Sequence, residues 1–365
     1  MRAAFVMCLA VLAACSAAPP ADAPEKAALF QDVRELFDAQ RSAIIAKDSS
    51  AFDRTFDPAR ATFAKCMREY FATGQPLALA PSRVDRFGDY YRVIASAGGP
   101  GNRRYFVRRD DGRLRFTEPQ PYEVGGARSR TDGPVRVNYW AIDDDVSEGI
   151  ATAARHAYDI AFAEAVGTPV AVFSVQLYPL HSFMGGESCW IGGKASLGNQ
   201  SDPVISIPTF RVSFDGAFRT PTVPTYEVLV HEALHWIQGQ NAFGANTSAP
   251  WWLTEGWPDR VAQIDRSATM RTVVCPVAFP SYEELSRHGL ALLDDPGSAD
   301  AAKQYAAANT MLDYFFVRFG RARYWELYRG VTTSVDNDLL FRSVLGEDGR
   351  TFYLEWMSWA RQKYC

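Results

Sequence analysis

The apolar positions of this chain change period as the sequence advances. From Pro24 to Tyr70 they recur at helical spacing, as Ala28-Leu29-Phe30, Val33, Leu36-Phe37 and Ile44-Ile45. Asp48-Ser49-Ser50-Ala51-Phe52 reads as the capped start of a second, short helix. Between Arg83 and Phe116 the pattern turns strand-like. Tyr90-Tyr91-Arg92-Val93-Ile94 and Arg104-Tyr105-Phe106-Val107 are rich in aromatic and β-branched residues. Gly98-Gly99-Pro100-Gly101-Asn102 separates them, and Asp110-Asp111-Gly112-Arg113 predicts a hairpin turn. Helices followed by an antiparallel sheet predict a small α+β domain over residues 25–125. Gly125–Gly133, a run of Gly, Arg, Ser, Thr and Asp, is the predicted linker.

A second domain is expected over residues 135–365. It opens with a strand, Val135–Trp140, followed by an amphipathic helix, Ser147–Val166, with Ser147 as its cap, and a nearly continuous apolar strand, Pro169–Leu177. Cys189-Trp190-Ile191-Gly192-Gly193 and Val204-Ile205-Ser206-Ile207 are expected either to edge a cleft, where unpaired main-chain groups can bind an extended peptide, or to form a hairpin of no catalytic role. Tyr226–Gln238 is apolar on nearly every side, which predicts a buried helix, with Thr225 as its cap after Pro224. Lys303–Gly320 reads as one amphipathic helix closed by Gly320. With 47% hydrophobic and 13% aromatic residues the chain can bury a large core. Net charge is −4 and no basic run interleaves with aromatics, which argues against nucleic acid as a partner.

The buried helix carries the chemistry. It holds His231-Glu232-Ala233-Leu234-His235, so two imidazoles four residues apart share a face and can grip one metal ion. Glu232 then stands where a base can deprotonate a metal-activated water. Two imidazoles and a carboxylate among Val, Leu and Trp cost roughly several kcal/mol unless partnered. Zn²⁺ is the expected cofactor. A third ligand follows in Trp251-Trp252-Leu253-Thr254-Glu255-Gly256-Trp257-Pro258-Asp259. Two histidines and Glu255 leave one zinc position open, as catalysis requires. Asp259, one helical turn beyond Glu255, can take the free N–H of a ligand histidine and fix its tautomer. Pro258 predicts that this helix begins near Glu255 or Gly256, or is locally distorted. Of the other histidines, His156, His181 and His288, lone residues of this kind are expected to be structural.

From Val135 to the C-terminus the paired motifs resemble the gluzincin metallopeptidases, specifically the bacterial peptidase MA-like group. Those proteins carry His-Glu-x-x-His on one helix and a glutamate ligand on a second, often in a Trp-Leu-x-Glu-Gly context. The resemblance implies an α+β fold with a mixed sheet and a helical C-terminal part, His231, His235 and Glu255 as zinc ligands, and Glu232 as general base. It also implies that a tyrosine opens the later helix and donates to the oxyanion. The corresponding residue is Tyr305, with Tyr314 as competitor. The expected activity is hydrolysis of a peptide or protein substrate. The alternatives are a lipid-anchored binding or scaffolding protein that keeps the fold without turnover, and a non-peptidase zinc amidase. By analogy of fold alone, the N-terminal domain is expected to be a cone like the nuclear-transport-factor-2 superfold, which implies no function.

Residues 1–15 read as a lipoprotein signal: Met1-Arg2, a short apolar run Ala3–Ala14, then Cys15. Leu12-Ala13-Ala14-Cys15 matches the bacterial lipobox, so Cys15 is expected to be acylated. Ser16 after it resembles outer-membrane sorting, and residues 16–24 form a tether to the membrane. The expected location is the cell envelope, facing the periplasm or exterior. Of six cysteines, Cys66, Cys189, Cys275 and Cys365 remain after Cys8 and Cys15. They allow up to two disulfides, with three connectivities open.

Overall fold

The computed structural model describes residues 23–74, 80–96, 101–164, 172–184, 189, 194–196, 204–241, 249–276, 278–286, 299–333 and 337–365. The expectations for Cys15, most of the tether, residues 98–100 and 190–193, and His288 lie outside the described residues. The described architecture is mixed α and β, with two sheets and a C-terminal half built of helices.

The first unit follows the predicted pattern. Helix α1 (Ala23–Ala46) leads to α2 (Ser49–Asp53), whose Asp48 cap accepts the Ala51 N–H at 2.8 Å. After α3 (Ala61–Ala72) come β1 (Ala80–Phe87), β2 (Tyr90–Ser96), β3 (Asn102–Asp110) and β4 (Arg113–Thr117), an antiparallel meander. Asp111 (φ 48°) and Gly112 (φ 76°) make the β3–β4 turn with two left-handed residues in succession, which matches the twist of the flanking strands. The helices cover one face, where Val33, Phe37, Phe52, Phe56, Val107 and Phe116 form the core.

The predicted linker is mostly a strand. Strand β5 (Ala127–Asp132) pairs with β6 (Val135–Trp140) through a turn at Gly133. Every residue of β5 is exposed, so no buried face imprinted an alternation on its sequence. The second sheet runs β5-β6-β7-β9-β8, with β7 (Phe173–Tyr178), β8 (Lys194–Ser196) and β9 (Val204–Pro208). Strands β6, β7 and β9 are parallel, and β5 and β8 flank them antiparallel. Val204–Ile207 is therefore an inner strand, and the edge belongs to β8. Helix α4 starts earlier than predicted, at Asp144 (Asp144–Ala163). Ser147 lies inside it and donates to the Asp144 carbonyl at 3.1 Å.

Helices α5 (Val223–Asn241), α6 (Trp251–Val261), α7 (Ser267–Thr269, continued by a π-helical turn Met270–Val274) and α8 (Tyr282–Ser286) follow. Then come α9 (Ala299–Phe319), α10 (Arg321–Thr333), α11 (Asn337–Leu345) and α12 (Gly349–Tyr364). Thr225 is inside α5 rather than its cap. Its hydroxyl accepts the Ser213 N–H at 2.9 Å and donates to the Ser213 carbonyl at 2.8 Å, pinning α5 to the preceding loop. Gly320 (φ 77°) closes α9 as predicted, its N–H on the Phe316 carbonyl at 3.1 Å. Among the described residues no helix is long and apolar enough to cross a membrane.

The two units are joined by more than the chain. Cys66 on α3 bonds Cys189, and Cys275 bonds Cys365, which selects one of the three connectivities. Asn102 at the start of β3 exchanges backbone hydrogen bonds with Phe214, at 2.7 and 2.9 Å. Arg104 on β3 reaches into the second unit, where its guanidinium meets the Ile142 carbonyl (2.8 Å), Asp143 (2.5 Å) and Thr209 (2.9 Å). Both charged side chains of that pair are fully buried. Removing one partner strands the other charge in the core. Arg104→Met is therefore expected to destabilise the protein by about 3–5 kcal/mol, and Arg104→Met with Asp143→Leu to recover most of the loss. Urea unfolding of the wild type and both variants measures this.

Candidate metal centre

Helices α5 and α6 bring the site together. His231, Glu232 and His235 lie on α5, and Glu255 and Asp259 on α6, all nearly or fully buried. Helix α6 does not start at Glu255, as Pro258 had suggested. It starts at Trp251, so Pro258 sits mid-helix and leaves the Thr254 carbonyl without its helical donor. Gln238, one turn beyond His235, supplies the missing donor. Its Nε2 lies 2.9 Å from the Thr254 oxygen and 2.7 Å from the Tyr324 hydroxyl oxygen. Tyr324 in turn donates to the Leu253 carbonyl at 3.1 Å.

The donor atoms converge. Nε2 of His231 and Nε2 of His235 are 3.0 Å apart, and Oε2 of Glu255 is 3.2 Å from the first and 3.1 Å from the second. Donors about 2.0–2.1 Å from one tetrahedral zinc ion stand about 3.3 Å apart, so the triangle has the right size. The other ring nitrogens are engaged. Nδ1 of His235 is 2.8 Å from Oε1 of Gln238, whose Nε2 is committed to donating, so His235 donates there. Nδ1 of His231 is 2.9 Å from Oδ1 of Asp259, a close contact whose angle falls short of an aligned hydrogen bond. With protons on both Nδ1 atoms, two imidazole lone pairs and a carboxylate oxygen point at one another. That arrangement repels itself unless a cation or extra protons lie between them, and the donor set fits zinc.

The electrostatics are consistent with this. Burial disfavours a charged imidazole at His231, but Asp259 and Glu255 outweigh it and hold its pKa up at about 10. Burial likewise opposes a charged His235, and Glu255 raises it regardless. Glu255 and Asp259 are held below the usual carboxylate range against the effect of burial, Glu255 by the two histidines, Asp259 by His231 and Arg266. Without a metal, protons on the histidines supply the positive charge that the carboxylates demand.

Further residues complete the centre. Tyr305 is the seventh residue of α9 rather than its opening residue. Its ring centre lies 6.4 Å from that of His231 and 5.3 Å from that of Trp251. Burial, then Glu255, Asp259 and Glu232, push its hydroxyl pKa well above the ordinary value, so it is a proton-bearing donor at neutral pH. Tyr314 donates instead to Glu355 at 3.0 Å. Arg266, Gln238 and Tyr324 were missed by sequence reasoning. Arg266 donates to Oδ2 of Asp259 at 2.8 Å and lies over the Tyr305 ring at 5.3 Å. Gln263 (φ 60°) ends α6 in a left-handed turn that lets the chain fold back to this position. His156 meets the Tyr226 hydroxyl at 3.0 Å, and His181 pairs with Glu118, both away from the centre. Gly256 sets the approach of α9, since a Cβ there would stand 2.4 Å from the Ala308 carbonyl oxygen.

No family model matches this chain, and no curated protein matches it. Among solved structures it is similar to crystal structures of an M1 zinc metallopeptidase from Deinococcus radiodurans and of a glutamate-to-alanine mutant of that enzyme. Both stand at 13% sequence identity and a TM-score of 0.38. The similarity covers 78% of this chain for the enzyme and 76% for the mutant, and 60% of either neighbour. The chain thus spans less than two thirds of the length of those structures.

Two outcomes follow from the geometry. Asp259 and Glu255 hold the His231 pKa up at about 10 and the ring must be neutral to bind metal, so zinc uptake at pH 7 is expected to release a proton, and that release is expected to fall off only as pH rises through about 10. Calorimetric titration in buffers of different ionisation enthalpy measures it, and equal heats across buffers would contradict it. Gly256→Ala forces α6 and α9 apart, so it is expected to destabilise the fold by about 1–3 kcal/mol and to weaken zinc retention. Denaturant melts and metal analysis test both effects.

Proposed function

We propose that this chain is a zinc-dependent peptidase. The observation that carries the reading is the triangle of His231, His235 and Glu255 donor atoms, 3.0–3.2 Å on a side, with Glu232 beside it on the same helix. Zinc, when bound, supplies a Lewis acid that polarises a carbonyl and acidifies water. His231, His235 and Glu255 hold the ion. Asp259 and Gln238 keep the proton of each histidine on Nδ1, leaving Nε2 free to ligate. The Glu232 carboxylate takes a proton from the attacking water and passes it to the leaving amine nitrogen. Tyr305, protonated at neutral pH, donates its hydroxyl to the developing oxyanion.

A peptide or protein is the proposed substrate, bound in extended form along β8, which ends the second sheet among the described residues. The N-terminal unit is read as a small cone of the nuclear-transport-factor-2 kind. Cys15 is read as a lipid attachment that holds the enzyme at the bacterial cell envelope. Two disulfides, which form in oxidising compartments, support that location.

Glu232→Gln tests the reading. The variant is expected to bind zinc like the wild type and to cleave a peptide library about 10²–10⁴-fold more slowly. Chelator should abolish wild-type cleavage and zinc should restore it. Zinc-loaded wild type that cleaves nothing in the library, or a Glu232→Gln variant as fast as the wild type, overturns the proposal.

A further inference from the structure

A second cavity lies away from the metal centre, where the two units meet. Its volume is about 250 Å³, and none of its lining residues belongs to the centre. Helix α3 and strands β3 and β4 form one wall, and the segment after β7 with Phe210 and Arg211 forms the other. Phe63, Met67, Phe116, Leu180 and Phe210 make most of the lining apolar. The Cys66–Cys189 disulfide and the buried Arg104–Asp143 pair hold the two walls together. Protein interiors seldom leave a space much larger than one water molecule, so a braced cavity of this size has room for a ligand.

The charged groups of the lining are served within the protein. Arg104 meets Asp143, Arg103 donates to the Tyr105 hydroxyl oxygen, and Arg211 donates to the Cys189 carbonyl. Glu118 accepts the His181 backbone N–H at 2.8 Å and pairs with Nδ1 of the His181 ring. Among the described lining residues none therefore calls for a charged occupant.

His181 is the polar residue with something left to offer. One carboxylate holds both its backbone N–H and its Nδ1. Its ring lies against Phe210, with centres 3.9 Å apart, and meets the Phe63 ring edge-on at 5.6 Å. The ring is thus oriented by three neighbours. Its other nitrogen, Nε2, makes no hydrogen bond to a described residue. With the proton on Nδ1, directed at Glu118, Nε2 carries a lone pair. A single fixed acceptor bordered by aromatic side chains suits a hydroxyl at the end of an apolar, planar body.

We propose that this cavity binds a small uncharged molecule with an aromatic body and a hydroxyl, the hydroxyl donating to Nε2 of His181 and the body lying against Phe63, Phe116 and Phe210. A cavity of 150 Å³ accepts benzene, so about 250 Å³ fits a ligand of roughly ten non-hydrogen atoms. The occupant touches both units, since Phe63 and Phe116 belong to the first and His181 and Phe210 to the second.

4-Methylphenol is a probe of the right size, and toluene has the same body without the hydroxyl. Calorimetric titration of the full, oxidised chain with each compares them. Saturable one-to-one binding of 4-methylphenol is expected, with a Kd of about 0.1–1 mM, and toluene should bind at least fivefold more weakly. His181→Phe keeps a ring against Phe210 and removes Nε2. It should erase the advantage of 4-methylphenol while leaving toluene nearly unchanged, whereas a merely structural role for His181 would weaken both alike. Met67→Trp fills the apolar half without touching His181 or Glu118. It should block both compounds and leave zinc content unchanged, and it keeps the test open if His181→Phe fails to fold. No saturable binding of 4-methylphenol at 10 mM would mean that the space is a solvent-filled gap between the units, and overturns the proposal. Equal affinity for the two compounds in the wild type, equal weakening of both in His181→Phe, or binding that survives Met67→Trp overturns it as well.

Discussion

The structure depends on how three carboxylates and two imidazoles are kept in a core built of tryptophan. Trp251, Trp252 and Trp257 share α6 with Glu255 and Asp259, and all five side chains are buried. Charged groups there are costly unless each has a partner of opposite sign or a hydrogen-bond donor in place. The partners come from outside α6: His231 and His235 from α5, and Arg266 from the turn that follows α6. Burial thus makes the geometry strict, because a displaced histidine would leave a carboxylate uncompensated. The same strictness keeps the three donor atoms within reach of one ion.

Gln238 is the joint between the two helices of the site. Pro258 breaks one helical hydrogen bond in α6, and the amide of Gln238 replaces it while its oxygen faces Nδ1 of His235. One side chain on α5 therefore orients His235 on its own helix and mends the backbone of the other. Gly256 does the corresponding work toward α9, where the missing side chain lets the Ala308 backbone come close enough to seat Tyr305 beside His231. These contacts fix α5, α6 and α9 relative to one another, and they explain how a proline and a glycine are tolerated inside a helix of eleven residues.

What the sequence disclosed, and what it hid, follows from where each signal resides. The spacing of His231, Glu232 and His235 is a helical period, readable without any knowledge of the fold. Glu255 and Asp259 were legible for the same reason, being one turn apart. Pro258 misled because its usual consequence assumes that the orphaned carbonyl finds no donor, and here the donor lies on another helix. Thr225 satisfied a local rule for capping, but its hydroxyl serves a loop twelve residues earlier. Strand β5 left no alternation because it is exposed throughout, so composition alone suggested a linker. Arg266 and Tyr324 carried no local pattern at all, since their roles exist only once α6 has turned back and α10 has packed against it.

The first unit is tied to the segment that leads into α5, the helix that carries His231 and His235. Asn102 pairs with Phe214, and the adjacent Ser213 is bonded to Thr222 and Thr225 at the start of α5. Arg104, two positions along β3, closes the buried pair with Asp143 and touches Thr209 just after β9. The first sheet is therefore bonded to β9's exit and to the loop before α5, the stretch that sets where α5 begins. The pairing at Asn102 and the ion pair at Arg104 lie on the same strand within two residues, so β3 alone carries both of these contacts to the second unit.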